Sequence, residues 1–160
     1  MDVNTSLGRA AAGYARRGWF VFPLKARSKE PMTVHGVHDA SSDPQVVTAW
    51  WREWPDANIG LDVHRSGLVV VDLDPAKGGI AAWEAVCADH TLPPYATLRS
   101  QTGSGGMHLV YRAPLGLTVH NSSQKLGPGI DVRGRGGYIV LPPSVHPTTG
   151  QPYAWIDSNG

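Results

Sequence analysis

Apolar residues along this chain recur at changing intervals, and the intervals predict the elements. Leu7, Ala10, Ala11 and Tyr14 share one helical face, so a helix is expected over residues 7–17, capped by Ser6 and ended by Gly18. Residues 19–22, Trp-Phe-Val-Phe, read as a strand stopped by Pro23. The polar stretch 24–40 reads as a loop of functional length. Ser42 or Asp43, with Pro44 at the first helical position, opens a second helix that runs through Trp54. Asn58 to Asp62 is a short strand, and Gly67 turns the chain into a run beginning at Leu68. Gly78 and Gly79 introduce a third helix over residues 80–89. Beyond Pro93-Pro94 the pattern becomes β-rich. Strands are expected at 97–101 and 107–112, joined by a Thr-Gly-Ser-Gly-Gly turn. Two more are expected at 130–133 and 138–141, joined by Gly134-Arg135-Gly136-Gly137, and a last one at 153–156. Pro142-Pro143 blocks further ladder pairing, and residues 157–160 read as a turn. This alternation implies an α/β (α+β) fold with mixed or antiparallel sheets.

The run Leu68-Val69-Val70-Val71 reads as a buried strand, and Asp72 and Asp74 stand at its exit. In a strand this spacing puts both carboxylates on one face, with Cα atoms roughly 6.5–7 Å apart. Two like charges held so close are costly unless a cation sits between them. The expectation is a divalent metal and a phosphate-rich substrate. Strand parity extends the argument. His108 shares a face with Val110 and Arg112, and Asp131 shares one with Arg133. If these strands pair with the Asp72 strand, one face gathers Asp72, Asp74, His108, Asp131 and Arg133. Three carboxylates can hold two divalent ions, which sit about 3.5–4 Å apart in two-metal phosphoryl-transfer sites. A His and an Arg beside them suit nucleotide phosphates. In the turn Ser104-Gly105-Gly106 the glycines let backbone amides approach an anion, and the serine hydroxyl adds a donor.

Bulk properties narrow the picture. The formal charge of +1 excludes a basic nucleic-acid coat, so positive charge for DNA must be local. Lys25, Arg27 and Lys29 form one cluster and Arg133 and Arg135 a pair, while Arg9, Arg16 and Arg17 read as solvated surface. The single cysteine, Cys87, excludes an intramolecular disulfide and a cysteine-based zinc cluster, and itself reads as inert packing. Trp50 and Trp54 share a helix face, which favours core packing over stacking on bases. His35 and His38 lack clustered ligands and are not read as a metal site. Nothing resembles a signal peptide or membrane span, so a cytoplasmic protein without a membrane partner is expected.

The ordered set of motifs resembles a known family. It comprises Gly-Trp-Phe-Val-Phe-Pro-Leu from Gly18, Lys29-Glu30-Pro31, His35-Gly36, Asp39-Ala40, Trp50-Trp51, Trp54-Pro55 and Asn58-Ile59-Gly60. It continues with Val71-Asp72-Leu73-Asp74, Thr102-Gly103-Ser104-Gly105-Gly106-Met107-His108, Gly129-Ile130-Asp131-Val132-Arg133 and Gly136-Gly137-Tyr138 through Pro142-Pro143-Ser144. From about Gly13 to Trp155 this resembles the primase–polymerase (prim-pol) domain of plasmid and phage replication proteins, within the archaeo-eukaryotic primase superfamily. The resemblance implies one catalytic domain over residues 1–160. Its N-terminal α/β half (about 1–65) would pack on an RRM-like catalytic half (about 66–160), at the front of a larger replication protein that continues into a helicase. It implies that Asp72, Asp74 and Asp131 bind two Mg²⁺ or Mn²⁺ ions. It implies that Ser104, Gly105, Gly106 and His108 hold the nucleotide triphosphate, and that Lys29 and Arg133 contact triphosphate or template. Some relatives carry a zinc-binding stem, for which this chain lacks cysteines, so no zinc is expected. Some carry Glu where Asp74 stands here, one methylene shorter.

The implied activity is template-dependent nucleotidyl transfer, with a single-stranded DNA template, a primer strand and ribo- or deoxyribonucleoside triphosphates. The setting is a phage- or plasmid-encoded protein in a bacterial host. Two other readings stand beside it. A metal-dependent Asp-x-Asp glycosyltransferase explains the two acids but not Asp131 with Arg133. A catalytically silent DNA-binding module of a replication helicase gains nothing from acids beside a phosphate backbone.

Overall fold

A computed structural model describes residues 5–157 of the chain. It contains three helices, α1 (Ser6–Arg16), α2 (Pro44–Glu53) and α3 (Gly79–Asp89). Nine strands accompany them: β1 (Val21–Leu24), β2 (Asn58–Asp62), β3 (Leu68–Leu73), β4 (Leu98–Gln101), β5 (Met107–Arg112), β6 (Ser122–Ser123), β7 (Ile130–Arg133), β8 (Tyr138–Leu141) and β9 (Ala154–Ile156). They form a three-stranded sheet, β1-β2-β8, and a six-stranded sheet, β6-β7-β3-β5-β4-β9, with antiparallel pairing throughout the ladders. The fold is α+β with antiparallel sheets, as the sequence pattern implies.

Several boundaries differ from expectation for local reasons. Thr5, not Ser6, caps α1, because its side chain accepts the Gly8 N–H. Pro23 does not stop the first strand but lies inside it. β1 is an edge strand, and the Pro23 carbonyl faces outward to accept the Met32 N–H, so the missing proline N–H breaks no β1–β2 bond. Trp50 and Trp54 pack half-buried against the core, as expected, while Trp51 between them is the fully buried tryptophan, its Nε1–H donating to the Ala57 carbonyl. The loop 24–40 contains a bridge between Leu24 and Pro31 and a 3₁₀ turn, Gly36–Asp39. Asp43 caps α2, as one of the two expected alternatives. The two-residue β6 has no apolar period and was not foreseeable from pattern. The turn expected at the C-terminus lies, beyond Asp157, outside the described residues.

The Gly134–Gly137 segment does not close a hairpin. β7 belongs to the larger sheet and β8 to the smaller one, so this segment carries the chain from one sheet to the other.

β3 explains how the sheets meet. Val71 and Leu73 on one of its faces pack with Leu109 and Ile130 against Ile80, Trp83 and Val86 of α3. On the other face Leu68 and Val70 join Val110, Ile59, Leu141, Val47 and Trp51 in a core shared with the smaller sheet and α1–α2. That second face turns polar at Asp72, which lines a cavity together with Tyr138, Ile139 and Val140 of β8 in the smaller sheet. The candidate site lies there.

α3 reaches β3 and β7 through a backbone contact that only glycine permits. A Cβ on Gly79 would stand 2.3 Å from the Gly129 carbonyl oxygen and 2.8 Å from the backbone N and O of Asp74. Asp74 N–H donates to Gly129 O, and Gly79 N–H donates to Asp74 O. The entry to β7, and with it Asp131, is thereby locked to the exit of β3.

Candidate active site

Sheet register brings four of the expected side chains together. Asp72 pairs directly with His108 on β5 and with Asp131 on β7. The Arg133 guanidinium lies 3.3 Å from Asp131 Oδ2 and 3.9 Å from Asp72 Oδ2. His108 Nε2 is 3.6 Å from Asp72 Oδ1, an electrostatic contact rather than a hydrogen bond. Ser123 on β6 donates to Asp131 Oδ1 at 2.8 Å, so Asp131 is held from both sides.

Asp74 stands just past the end of β3. Its Oδ1 accepts the Ala76 N–H that starts a 3₁₀ turn, and Lys77 Nζ lies 4.0 Å from its Oδ2. It shares a cavity with the other acids but not their immediate contacts. Among the described residues no three His, Cys, Asp or Glu side chains form a ready metal cluster.

His108 is 5% exposed, and its Nδ1 has no partner. Burial holds its pKa below the ordinary value, opposed by Asp72 and reinforced by Lys29 and Arg133. Burial thus favours the neutral ring, a form that can donate one N–H. It stacks on Tyr153, with ring centroids 6.3 Å apart. Burial, with Asp72 nearby, pushes the Tyr153 hydroxyl up to about 12.

These groups wall a cavity of about 550 Å³ that includes Asp72, Asp74, Asp131, His108, Arg133, Ser104 and Lys29. The glycines of the Ser104 turn take different places in the structure. Gly105 spends its N–H on the Thr102 carbonyl, and the cavity wall takes Thr102 and Ser104 rather than Gly105 or Gly106. Gly106 instead lies under β3, where a Cβ would meet the Leu73 carbonyl oxygen at 2.6 Å. Its role in this structure is close approach. The Ser104 hydroxyl lies 3.1 Å from that of Thr102.

A family model described as bifunctional DNA primase/polymerase, N-terminal (Prim-Pol), matches residues 11–159. The chain belongs to the Prim-Pol family. Membership supports a primase/polymerase role in DNA replication, with DNA and nucleotides as substrates. Comparison with curated proteins gave no match. Among the described residues no helix is long and apolar enough to cross a membrane.

In this Prim-Pol domain the cavity also contains residues that sequence reasoning did not single out. Lys77, Asn121, Gln124, Tyr138 and Tyr153 all line the cavity. Tyr138 and Tyr153 sit in runs that read simply as strands, and Asn121 and Gln124 flank a strand too short to show a period. The positive φ of Gln124, 53°, marks an unusual backbone position, but it is visible only in three dimensions. Other candidates lie elsewhere. His35 pairs with Asp39 at 3.1 Å and is largely exposed, and Cys87 is buried with its thiol pKa raised by burial.

Proposed function

We propose that this Prim-Pol domain is a template-dependent nucleotidyltransferase that synthesises and extends primers on single-stranded DNA at the Asp72–Asp131 face. The observation that carries this reading is the direct pairing of two carboxylates across β3 and β7, flanked by a neutral histidine and an arginine, in one polar cavity. The donor chemistry fits a hard cation, because carboxylate oxygens are the ligands Mg²⁺ and Mn²⁺ favour. Asp72 and Asp131 would hold such ions, with Asp74 joining from the same wall. When bound, the ions offset phosphate charge and lower the pKa of the attacking 3′-hydroxyl. No protein general base is then required.

The chain's own groups bind and orient. The neutral His108 donates a single hydrogen bond to a phosphate oxygen. Arg133, now shared between the two acids, offers a planar fork for phosphate. Ser104 adds a hydroxyl donor at the turn, and Lys29 a point charge.

The test offers a single-stranded template, with and without primer, both nucleotide types, and Mg²⁺ or Mn²⁺. Asp72→Ala and Asp131→Ala are expected to abolish incorporation while circular dichroism and melting show a retained fold. Full incorporation by either variant rejects the assignment. Turnover of a sugar nucleotide in place of a triphosphate, or metal-independent DNA binding without incorporation, replaces it with one of the competing readings.

A further inference from the structure

Lys29 sits on an irregular loop, yet the loop is tied down by side chains from the smaller sheet. The Tyr138 hydroxyl on β8 donates to the Lys29 carbonyl at 2.9 Å. Asn58 at the start of β2 is 1% exposed, and its Nδ2 donates to the Ser28 carbonyl at 3.0 Å and to the Val145 carbonyl at 2.8 Å. Its Oδ1 accepts the Val145 N–H at 3.0 Å. One buried amide thus spends three hydrogen bonds joining the loop to the strand exit after β8.

The loop is also braced within itself. Lys25 N–H donates to the Glu30 carbonyl, and Lys25 Nζ meets Glu30 Oε2 at 2.6 Å. Arg27 occupies the left-handed region at φ 51°, which non-glycine residues seldom adopt. A short hairpin, closed by the Lys25–Glu30 contacts and with Arg27 at its left-handed corner, places Lys29 at the cavity wall. Among the described residues Lys29 has no carboxylate within 4 Å, whereas Arg133 is shared between two. Lys29 nonetheless faces the same cavity as His108 and Arg133.

We infer that Asn58 and Tyr138 are positioning residues: they clamp two successive carbonyls, of Ser28 and Lys29, so that the Lys29 ammonium is set in advance over the cavity to receive the substrate triphosphate. This rests on the nucleotidyltransferase reading and extends it to residues outside the catalytic face. Preorganisation removes the ordering cost that a free loop lysine would meet on binding. The clamp belongs to the smaller sheet, so that sheet contributes to substrate binding as well as to packing.

A double-mutant cycle on Tyr138→Phe and Lys29→Gln tests it, read by calorimetric affinity for a non-hydrolysable nucleoside triphosphate with Mg²⁺, and by KM and kcat in primer extension. Tyr138→Phe removes one hydroxyl and keeps the ring packed edge-on against Phe22. It is expected to weaken triphosphate affinity and raise KM about three- to tenfold, with kcat and melting temperature little changed. Lys29→Gln is expected to cost more. In the double variant the Tyr138 effect should vanish, because the loop then has no ammonium to place. Asn58→Ala provides a second arm, in which any added loss of affinity must likewise disappear in the Lys29→Gln background. Strictly additive effects, or an unaltered KM in Tyr138→Phe, overturn the clamp while leaving the activity standing. A wild-type domain that binds no triphosphate overturns both.

Discussion

His146 shows how one side chain can join a turn, a loop and a charge. Its Nδ1 accepts N–H bonds from Thr148 and Thr149, each at 3.3 Å, so the turn needs the neutral ring. The turn in turn holds the Ser104 loop, because Thr149 Oγ1 donates to the Gly103 carbonyl at 2.7 Å. Burial, and then the Lys29 ammonium, keeps the His146 pKa below its ordinary value. The unfolded chain therefore takes up a proton first as pH falls. The stabilisation is complete above about pH 6.5 and is lost as pH falls from there through the folded value. Urea midpoints are expected to drop between about pH 7 and pH 5. His146→Asn, which retains an acceptor but does not titrate, should make that drop shallower, the remainder coming from the buried His108. An identical slope in wild type and variant would remove His146 from this account.

At the scale of elements, β3 does two jobs because its faces differ. One face is apolar along its whole length and takes α3; the other is apolar at Leu68 and Val70 and acidic at Asp72. The contact of Gly79 with Gly129 and Asp74 keeps α3, β3 and the entry to β7 in a fixed relation. Gly79→Ala places a methyl against backbone atoms that cannot rotate away. A loss of about 1–3 kcal/mol is expected in chemical denaturation. Incorporation should fall further than stability explains, since Asp74 and Asp131 are displaced together. A variant of wild-type stability and activity would show that the backbone yields more easily than this contact implies.

Across the whole molecule, the helical layer is joined to the chain's last described strand by a chain of hydrogen bonds. Trp155 Nε1–H donates to the Tyr14 hydroxyl at 2.9 Å, and that hydroxyl donates to the Pro142 carbonyl at 2.7 Å. Tyr14 also stacks on Trp19. Tyr14→Phe leaves a buried carbonyl and an indole N–H without this partner. It should cost about 1–3 kcal/mol of stability. Because none of these groups lines the cavity, nucleotide KM should stay within twofold of wild type at temperatures where the variant is folded. A large KM change would mean that the helical layer communicates with the site.

The sequence by itself determined the elements with a strong period and the side of each strand on which its charges fall. Alternation over residues 107–112 and 130–133 settles that His108 and Asp131 oppose their apolar neighbours, since a strand's parity is a local property. The ordered motifs, read together, led to the family. Register is not local: only the tertiary structure decided that Asp72 pairs with both His108 and Asp131, and that β8 leaves the larger sheet for the smaller. Nor could spacing reveal that Asp74 turns aside to cap a helical turn, that Gly106 is there for close approach, or that Asn58 and Tyr138 reach the Lys29 loop. Those facts depend on which distant backbone atoms come within hydrogen-bonding distance, and that is fixed by how two sheets pack rather than by any one segment's pattern.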